Sequence, residues 1–397
     1  MSNDKGKKGT LNRRDFLKAL TAIGGAAVVS SGCTPEPLDK LVSYAIPPED
    51  VIPGIPNYYS TVLPFSPVGA PVEVKVREGR AIFIGGNKLD PISNGGVSSE
   101  SQASLQGLYD PDRIKQPLYK NNRGDLSPIS WGSALEILTK KLNEKNQNIY
   151  IITDNTTGTL DNLLTNFSTK IGANRIKYET FSFEHIAEAN KVTFGQKLIP
   201  TYKIDQANYL LSFGVDFLET WLSPNEYGAR FEKMHSLKKD SKGKFVQVEP
   251  KLTLTGAKAD DWVPAKPGTN LYLVLGIINY IKSKRLNKKS VPETFTNLSN
   301  FTLEKTSNLT GISIESIEKI AIDFASSDSS LAIGGGIASA DENQSKTMIA
   351  INILNYITDN LDKYDFDNHY MISNASSYQE ILKFREDAAN GNVDLLI

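Results

Sequence analysis

Residues that bind soft metals are scarce in this sequence of 397 residues. The single cysteine, Cys33, lies close to the N-terminus, and the three histidines, His185, His235 and His369, show no metal-ligand spacing. One cysteine excludes an internal disulfide, a cysteine-based zinc site and an iron–sulfur cluster held by cysteines of this chain. Each histidine is more simply a structural or surface residue than a ligand.

The stretch GGVSSESQASLQGLYDPDRIKQPLYK, residues 95–120, has the outline of a redox site. Its turn from Tyr109 to Arg113 is typical of the chain just after a cofactor-binding segment. The residues before that turn include serines, a glutamate and a glutamine, which are poor ligands for a soft metal. The stretch therefore predicts the frame of a redox site without its metal ligands.

Composition limits the classes of function. The chain has 44 basic and 45 acidic residues, a formal net charge of −1, and 40% hydrophobic residues. The charge balance argues against a nucleic-acid-binding protein, which would show a basic excess. The length and apolar content predict a large core in two or more lobes.

The N-terminus, residues 1–33, has the pattern of an export signal: basic residues, a short apolar stretch and then small residues. Arg13 and Arg14 resemble the twin-arginine signal of proteins that are exported folded. Cys33 follows a serine and a glycine, as in a lipoprotein cleavage site, where it would be acylated. The alternative is a cleavage region with an unmodified cysteine. Residues 34–56 are rich in proline and predict an extended tether.

Alternating strands and helices follow from Pro71 onwards. Apolar–polar alternation on both sides of Glu78 and Gly79 predicts a β-hairpin, and Ser130 is the expected N-cap of an amphipathic helix. We predict an α/β fold, with a small N-terminal β-hairpin region followed by Rossmann-like parallel-sheet lobes covered by helices. The last residues, VDLLI, predict a buried strand that ends at Ile397. We therefore expect a fragment that is incomplete at its C-terminus.

Ordered motifs carry a resemblance to a known family. They are VKVREGRAIFIGGNKLDPISNGG, LYDPDRIKQPL, ISWGSALEIL, ANYLLSFGVDFLET, VEPKLTLTGAKADDWVPAKPGTNLYLVLGIINYI and SLAIGGG. Together they resemble the molybdopterin oxidoreductase superfamily of the dimethyl-sulfoxide-reductase type. The resemblance implies a degenerate iron–sulfur-type β region at residues 57–120 and truncated molybdopterin-oxidoreductase-like α/β lobes at residues 121–397.

The cluster-binding positions of that superfamily are changed in this sequence. Its members typically place four cysteines around the first hairpin, and the position of the last one is Ser98 here. Many members have a lysine two residues later, as an electron relay to the pterin, and here that residue is Glu100. Serine lacks the softness and the low pKa of a cysteine thiol, so we expect no cluster in this region.

The position of the metal ligand is less clear from the resemblance. In the superfamily a Cys, selenocysteine, Ser or Asp coordinates molybdenum some dozen residues before Thr-Phe-Gly, which is 193–195 here. Ser182 stands close to that position. It is either an oxo-transfer ligand or a serine at the start of a helix beside Glu184, and we favour the helix-start serine.

The pterin-contact positions are partly kept. Asn270 stands where the family often has an aspartate that pairs with guanine, so a charge-assisted contact is lost. Glu249 and Lys251 replace a common Asp-Pro-Arg, and Glu219 keeps a polar group after its strand. Thr269 belongs to a Pro-Gly-Thr segment, which is alternatively a plain loop with a helix cap.

The combination resembles most closely the large periplasmic subunit of alternative complex III. That resemblance implies a non-catalytic scaffold without a cofactor, on the periplasmic side of the bacterial inner membrane, exported folded and lipid-anchored through Cys33. Its implied partners are an iron–sulfur ferredoxin-like region or subunit, a multi-haem cytochrome c and integral membrane quinol-binding subunits. The iron–sulfur clusters would lie downstream or on a partner.

Two other functions stay open. The first is a periplasmic molybdenum or tungsten oxidoreductase of the polysulfide or thiosulfate reductase type. It would bind molybdopterin guanine dinucleotide and use Ser182 as a metal ligand. The second is a lipid-anchored α/β binding protein with an incidental match.

Overall fold

The structure is a computed structural model. It describes residues 50–64, 68–144, 147–237, 242–293, 295, 297–337 and 340–397. The chain divides into Met1–Ile55 and a compact unit, Pro56–Ile397. Arg13, Arg14 and Cys33 lie outside the described residues, so the export signal and the lipidation site stay predictions. Within the described ranges, no helix combines the length and the apolar character that a membrane span needs.

A three-stranded antiparallel sheet begins the compact unit. Its strands, in order across the sheet, are β1 (Asn57–Leu63), β2 (Ala70–Arg77) and β3 (Arg80–Gly86). The predicted hairpin is confirmed, because Arg77 pairs with Arg80 across Glu78 and Gly79. Both turn residues have positive φ, 51° and 79°, as in the tight turns whose twist matches that of the strands. Helix α1 (Ser99–Leu108) packs against β3.

The next elements alternate between strands and helices. They are β4 (Leu118–Lys120), β5 (Leu126–Pro128), α2 (Trp131–Leu142), β6 (Ile149–Asp154), α3 (Gly158–Ile171) and β7 (Asn174–Tyr178). Ser130 caps α2 as predicted, and its hydroxyl accepts a hydrogen bond from the Ser133 backbone N–H at 3.1 Å. β4 and β5 form a small antiparallel hairpin, whereas β6 and β7 are parallel.

A four-stranded parallel sheet forms the centre of the compact unit. Its strands are β9 (Tyr209–Phe213), β10 (Lys244–Val248), β11 (Asp261–Val263) and β12 (Ser330–Ile333), in the order β11-β10-β9-β12. The helices that follow its strands are α5 (Pro224–Met234), α6 (Asn270–Ser283), α7 (Leu303–Thr310) and α8 (Ile314–Ser326). Every residue of β9 and β12 is buried, as expected for parallel strands covered on both faces. The predicted parallel-sheet lobe is confirmed here.

An antiparallel pair beside this sheet was not predicted from the sequence. The pair is β8 (Ile199–Tyr202) with β13 (Tyr364–Tyr370), and its neighbouring helices are α4 (Glu184–Phe194) and α9 (Gln344–Ile357). α4 packs on α9, and the buried amide of Asn352 donates to the Asn190 side-chain oxygen at 2.9 Å. This bond satisfies polar groups inside the core, which is the usual condition for their burial.

The final strand differs from its prediction. After α10 (Tyr378–Ala389), β14 (Leu395–Leu396) pairs in parallel with β6, which gives the order β14-β6-β7. A strand is therefore present, but the prediction of a buried strand was wrong. Leu396 and Ile397 are exposed, because β14 lies at the edge of the sheet.

Candidate functional site

The carboxyl ends of the central strands lie at one edge of the sheet, because β9, β10 and β12 are parallel. This edge is where open α/β sheets bind ligands. Gly214 follows β9, Glu249 follows β10, and Gly334–Gly336 follow β12. A Cβ atom added to Gly336 would lie 2.0 Å from the Gly214 carbonyl oxygen, so only glycine allows the two loops to approach this closely. We call these residues and the segments that follow them the carboxyl edge.

Glu249 is fully buried at the carboxyl edge, with an exposed fraction of 0%. One carboxylate oxygen accepts bonds from the backbone N–H of Thr253 at 2.9 Å and from its hydroxyl at 3.0 Å. The other oxygen accepts from the Gln247 side-chain amide at 2.9 Å. Gly256 leaves room for this carboxylate, since a Cβ there would lie 2.1 Å from it. Glu249 is therefore an internal structural group, with both oxygens engaged by the chain itself.

Asp216 is a second buried carboxylate on this edge. Asp216 accepts two hydrogen bonds from Thr255. One comes from the Thr255 hydroxyl and the other, at 3.4 Å, from its backbone N–H. The Thr255 hydroxyl oxygen in turn accepts from the Leu218 N–H at 3.0 Å. Glu219 lies exposed three residues beyond Asp216, and partial burial together with the Asp216 carboxylate raises the pKa of Glu219. Burial and the neighbouring Asp216 carboxylate both disfavour the charged form of Glu219.

The start of helix α4 contacts the glycine loop that follows β12. The Nε2–H of His185 donates to the Gly335 carbonyl oxygen at 3.2 Å, and burial lowers the pKa of His185 to about 4. A Cβ on Gly335 would meet the His185 ring at 2.8 Å. Phe183 is buried with φ of 50°, an uncommon conformation for a bulky residue that the surrounding packing must hold.

Ser182 lies just before this turn and is half-buried. Helix α4 begins at Glu184 with Phe183 in the cap position, and Ser182 lies one residue before that cap. Phe183 occupies the cap position with a left-handed backbone, and this conformation turns the chain into the helix. Among the described residues, the Ser182 hydroxyl has no hydrogen-bond partner.

The segment before α6 supplies the remaining pterin-contact positions. Thr269 occupies the cap position, yet its hydroxyl donates backwards to the Lys266 carbonyl oxygen at 2.6 Å and does not cap the helix. Asn270 is the first residue of α6 and is buried. Gly268 approaches Asp341, whose Oδ2 atom is buried without a hydrogen-bond partner among the described residues. Asp341 therefore adds another carboxylate to the carboxyl edge.

Ser98, which the resemblance assigns to a cluster-ligand position, is the N-cap of α1. The Ser98 hydroxyl accepts a hydrogen bond from the Ser101 N–H at 3.2 Å and lies 2.9 Å from the Ser101 hydroxyl. Serine is among the best N-cap residues, so Ser98 has a structural reason to be serine. Glu100 is exposed in the first turn of α1, where an acidic side chain interacts favourably with the helix dipole. Ser98 and Glu100 thus stabilise α1. The positions assigned to pterin contacts lie instead at the carboxyl edge of the central sheet.

A pterin dinucleotide would meet mostly acidic side chains at the carboxyl edge. Its pyrophosphate is anionic and requires N–H donors or cations. The positions that the resemblance assigns to it include the acids Glu219 and Glu249, beside Asp216 and Asp341, and one base, Lys251. Within the described ranges, no three His, Cys, Asp or Glu side chains are placed to hold a metal ion. Acids therefore outnumber bases among these positions.

Sequence analysis missed the partners that hold this edge together. Thr253 and Thr255 alternate in the segment after β10, and each binds one carboxylate. This Thr-x-Thr spacing was the available signal. His185 was treated as an isolated structural residue, and its partner is a backbone carbonyl 150 residues away.

Comparison with known proteins assigns the family. The family model described as Molybdopterin oxidoreductase matches residues 113–387, more than half of the chain. The chain belongs to the molybdopterin oxidoreductase family. The ordered motifs therefore led to the correct family. The fold agrees, since acetylene hydratase from Pelobacter acetylenicus superposes with a TM-score of 0.57 at 21% identity, over 73% of this chain and 42% of the hydratase.

Curated relatives within this family differ in activity. The "menaquinone reductase, molybdopterin-binding-like subunit" of Nitratidesulfovibrio vulgaris is 29% identical over 357 residues, which cover 87% of this chain and 51% of the relative. The thiosulfate reductase molybdopterin-containing subunit of Salmonella typhimurium is 25% identical over 300 residues, 72% of this chain and 37% of the relative. The chain thus spans about half, or less, of the length of these relatives.

Proposed function

We propose that this chain is a non-catalytic, cofactor-free scaffold subunit of a membrane-associated, quinol-oxidising respiratory complex of the alternative complex III type. The observation that carries the proposal is the carboxyl edge. Glu249 and Asp216 are buried there and bonded to the chain's own threonines, where an anionic cofactor would need donors. The family fold is kept, and the buried acids of this edge are engaged in internal contacts with threonines instead of facing a ligand.

The cluster region supports the same function. Ser98 stands at the position of a cluster ligand and is engaged in capping α1, while Glu100 at the relay position is an exposed acid. Electrons would then travel through partners, namely an iron–sulfur ferredoxin-like region or subunit and a multi-haem cytochrome c. Integral membrane subunits would bind the quinol. The relative named as a menaquinone reductase subunit supports a quinone-linked, multi-subunit setting.

The alternative function is a molybdenum or tungsten oxidoreductase with Ser182 as the metal ligand. The observation in its favour is the Ser182 hydroxyl, which no described residue engages. The thiosulfate reductase relative belongs to the same family. Against it stands the acidic character of the carboxyl edge, which a pyrophosphate would have to approach.

Metal analysis separates the two functions. The native protein is purified from membranes with its partners, and molybdenum and tungsten are measured by elemental mass spectrometry alongside fluorescence of released pterin. The scaffold predicts both far below stoichiometric amounts, together with quinol oxidation by the purified complex. Stoichiometric metal and pterin that disappear in Ser182→Ala would overturn the scaffold and support the oxidoreductase.

We place the scaffold on the periplasmic face of the inner membrane, exported folded and anchored through Cys33. This location rests on the twin-arginine-like pair Arg13 and Arg14 and on the small residues before Cys33. Cys33→Ala should leave an exported, folded protein without an acyl group. Mass spectrometry that finds an unmodified Cys33 in the mature wild-type protein removes the lipid anchor. Normal export of the variant with Lys at positions 13 and 14 removes the twin-arginine route.

A further inference from the structure

Five buried aromatic side chains join the antiparallel pair β8 and β13 to helix α5 and the segment before it. In spatial order they are Tyr370, Tyr227, Trp221, Tyr202 and Tyr364, and we call them the aromatic row. Successive ring centroids lie 6.3, 4.8, 5.5 and 5.0 Å apart, which is typical of neighbouring aromatic rings. Tyrosine and tryptophan are also the aromatic side chains that lose one electron most readily. The row is therefore a continuous series of oxidisable groups.

The aromatic row extends along the whole of β13. Its two ends, Tyr364 and Tyr370, are the first and last residues of that strand of seven residues. At about 3.3 Å per residue these ends lie about 20 Å apart. They are 8% and 7% exposed, whereas the three inner members are at most 1% exposed. Because electron transfer slows exponentially with distance, short steps between neighbouring rings are far faster than one step over this span.

Packing alone does not require an indole at position 221. The Nε1–H of Trp221 is buried and has no hydrogen-bond partner among the described residues. An unpaired buried N–H costs about 1–3 kcal/mol, a cost that phenylalanine would not carry. An indole can lose an electron and keep its proton as a radical cation. Since no described group accepts the proton, Trp221 is suited to pass an electron hole, the place of a missing electron, to its neighbours.

Tyr370 differs from the other members in the group that its hydroxyl meets. It donates to the carboxylate oxygen Oε2 of buried Glu226 at 2.6 Å, and Arg230 Nε donates to the other oxygen at 2.9 Å. The hydroxyl of Tyr364, at the opposite end, donates to the neutral amide oxygen of Asn352 at 3.0 Å. A phenol that loses an electron becomes a strong acid, so its oxidation requires a base. Glu226 is placed to be that base, and the hole should therefore settle on Tyr370.

We propose that the aromatic row is a relay that carries an electron hole from a peroxyl radical at the Tyr364 end to Tyr370. The peroxyl radical gains one electron through Tyr364 and a proton from solvent, which makes it a hydroperoxide. Each ring then gains an electron from the next one in the row. At Tyr370 the electron leaves the ring and the phenolic proton moves to Glu226, which leaves a neutral phenoxyl radical beside a protonated carboxyl group.

A quinol or a thiol completes the cycle. It gives one electron to the Tyr370 radical and releases its own proton to solvent, while Glu226 returns the phenolic proton to Tyr370. The row is then unchanged, and the net reaction is the reduction of a peroxyl radical by a quinol or a thiol. The relay uses none of the pterin-contact positions, so it does not depend on the proposed scaffold function.

Light-triggered oxidation at one end of the row tests the relay. In the purified full chain with Cys33→Ala, the substitution Asp362→Cys attaches a ruthenium(II) polypyridyl photo-oxidant two residues before Tyr364, where the Asp362 side chain is 67% exposed. A cobalt(III) ammine accepts the excited electron, and the ruthenium(III) left behind takes one electron from the protein. Electron paramagnetic resonance of frozen samples measures the phenoxyl radical. We expect Tyr370→Phe to remove most of the signal, whereas the control Tyr378→Phe, an exposed tyrosine outside the row, should not change it.

Two further variants distinguish the relay from its end point. Trp221→Phe keeps a ring in the core without the easily oxidised indole, so most of the Tyr370 radical should be lost. Glu226→Gln keeps an acceptor for the Tyr370 hydroxyl, but an amide does not take the proton, so the radical should again be lost. Circular dichroism checks that each variant folds, and Tyr370→Phe and Trp221→Phe are sufficient by themselves if Glu226→Gln does not.

A radical yield equal to that of the labelled parent chain in Tyr370→Phe, Trp221→Phe or folded Glu226→Gln would overturn the relay. The absence of any phenoxyl radical in the labelled parent chain would overturn it too. None of these measurements depends on metal content or on partner subunits, so the relay and the scaffold function can fail separately.

Discussion

The imidazole of His185 lies 3.2 Å from the carbonyl oxygen of Gly335 and joins the start of α4 to the glycine loop after β12. The two residues are 150 positions apart in the sequence, and their contact brings the segment with Ser182 against the carboxyl edge. A neutral imidazole suffices for this bond, because only Nε2–H donates. Protonation would bring a charge into a largely buried place without a carboxylate bonded to the ring.

His185 predicts a pH dependence of stability. Burial lowers its pKa to about 4, below the ordinary value of 6.5, so the unfolded chain binds the proton first. The free energy of unfolding should therefore fall as the pH is lowered from about 6.5 towards 4, by about 3 kcal/mol from this group. His185→Gln can still donate to Gly335 but does not titrate there. Urea unfolding across this range should show a shallower slope for the variant, and equal slopes would exclude His185 as the cause.

Glu249 tests whether the carboxyl edge is held together by the chain's own groups. Glu249→Ala leaves the Thr253 N–H and one N–H of the Gln247 amide without an acceptor in a buried place, while the Gln247 amide keeps its bond to the Val215 carbonyl oxygen. Unpaired buried donors cost about 1–3 kcal/mol each, so we expect a loss of about 2–4 kcal/mol in the free energy of unfolding. The matched control is Glu136→Ala on the exposed surface of α2, which should change it by less than about 0.5 kcal/mol. A neutral result at Glu249 would mean that the edge is hydrated and open.

The elements that sequence reasoning predicted well are those with strong local patterns. β9 is a run of apolar residues, and α8 has an apolar face of regular period. Each element is therefore recognisable from its own sequence. β8 and β13 were missed, because the first contains Pro200 and the second mixes acids, an asparagine and a histidine. Their pairing joins residues more than 160 positions apart and depends on tertiary contact.

The role of the candidate site stays a prediction, because the resemblance names Glu249 as a pterin-contact position and no observation tests that role. The hydrogen bonds of Glu249 could not be predicted from the sequence. Its inward rotamer depends on Thr253, on Gln247 and on the space that Gly256 leaves, and these meet only after folding. Ser182 was expected at the helix start. The helix begins at Glu184 after Phe183, whose left-handed backbone no local propensity of phenylalanine indicates.

Ser98 predicts a stability effect without a redox effect. Removing the cap in Ser98→Ala should cost about 1 kcal/mol of unfolding free energy, measured by urea titration, because the Ser101 N–H loses its acceptor. The control Ser99→Ala changes an exposed residue of the first turn and should be close to neutral. Ser98→Cys should bind no iron, since the described residues near it supply no further thiolates. Iron absorption bands in that variant would contradict the loss of the cluster site.

Two glycines with opposite surroundings predict opposite effects of the same substitution. In Gly336→Ala the new Cβ would lie 2.0 Å from the Gly214 carbonyl oxygen, so two backbone segments must separate, at a cost of about 1–3 kcal/mol or more. In Gly107→Ala, inside α1, the new Cβ meets nothing within 4 Å, and alanine should stabilise the helix by about 0.5–1 kcal/mol.

Thermal unfolding of both variants, with the wild type as reference, measures these changes directly. A lower melting temperature for Gly336→Ala and a raised one for Gly107→Ala are expected. If Gly336→Ala unfolds like the wild type, then the loops after β9 and β12 are not in tight contact. The carboxyl edge would then have room for a ligand, and close contact between its loops would no longer count against a bound cofactor.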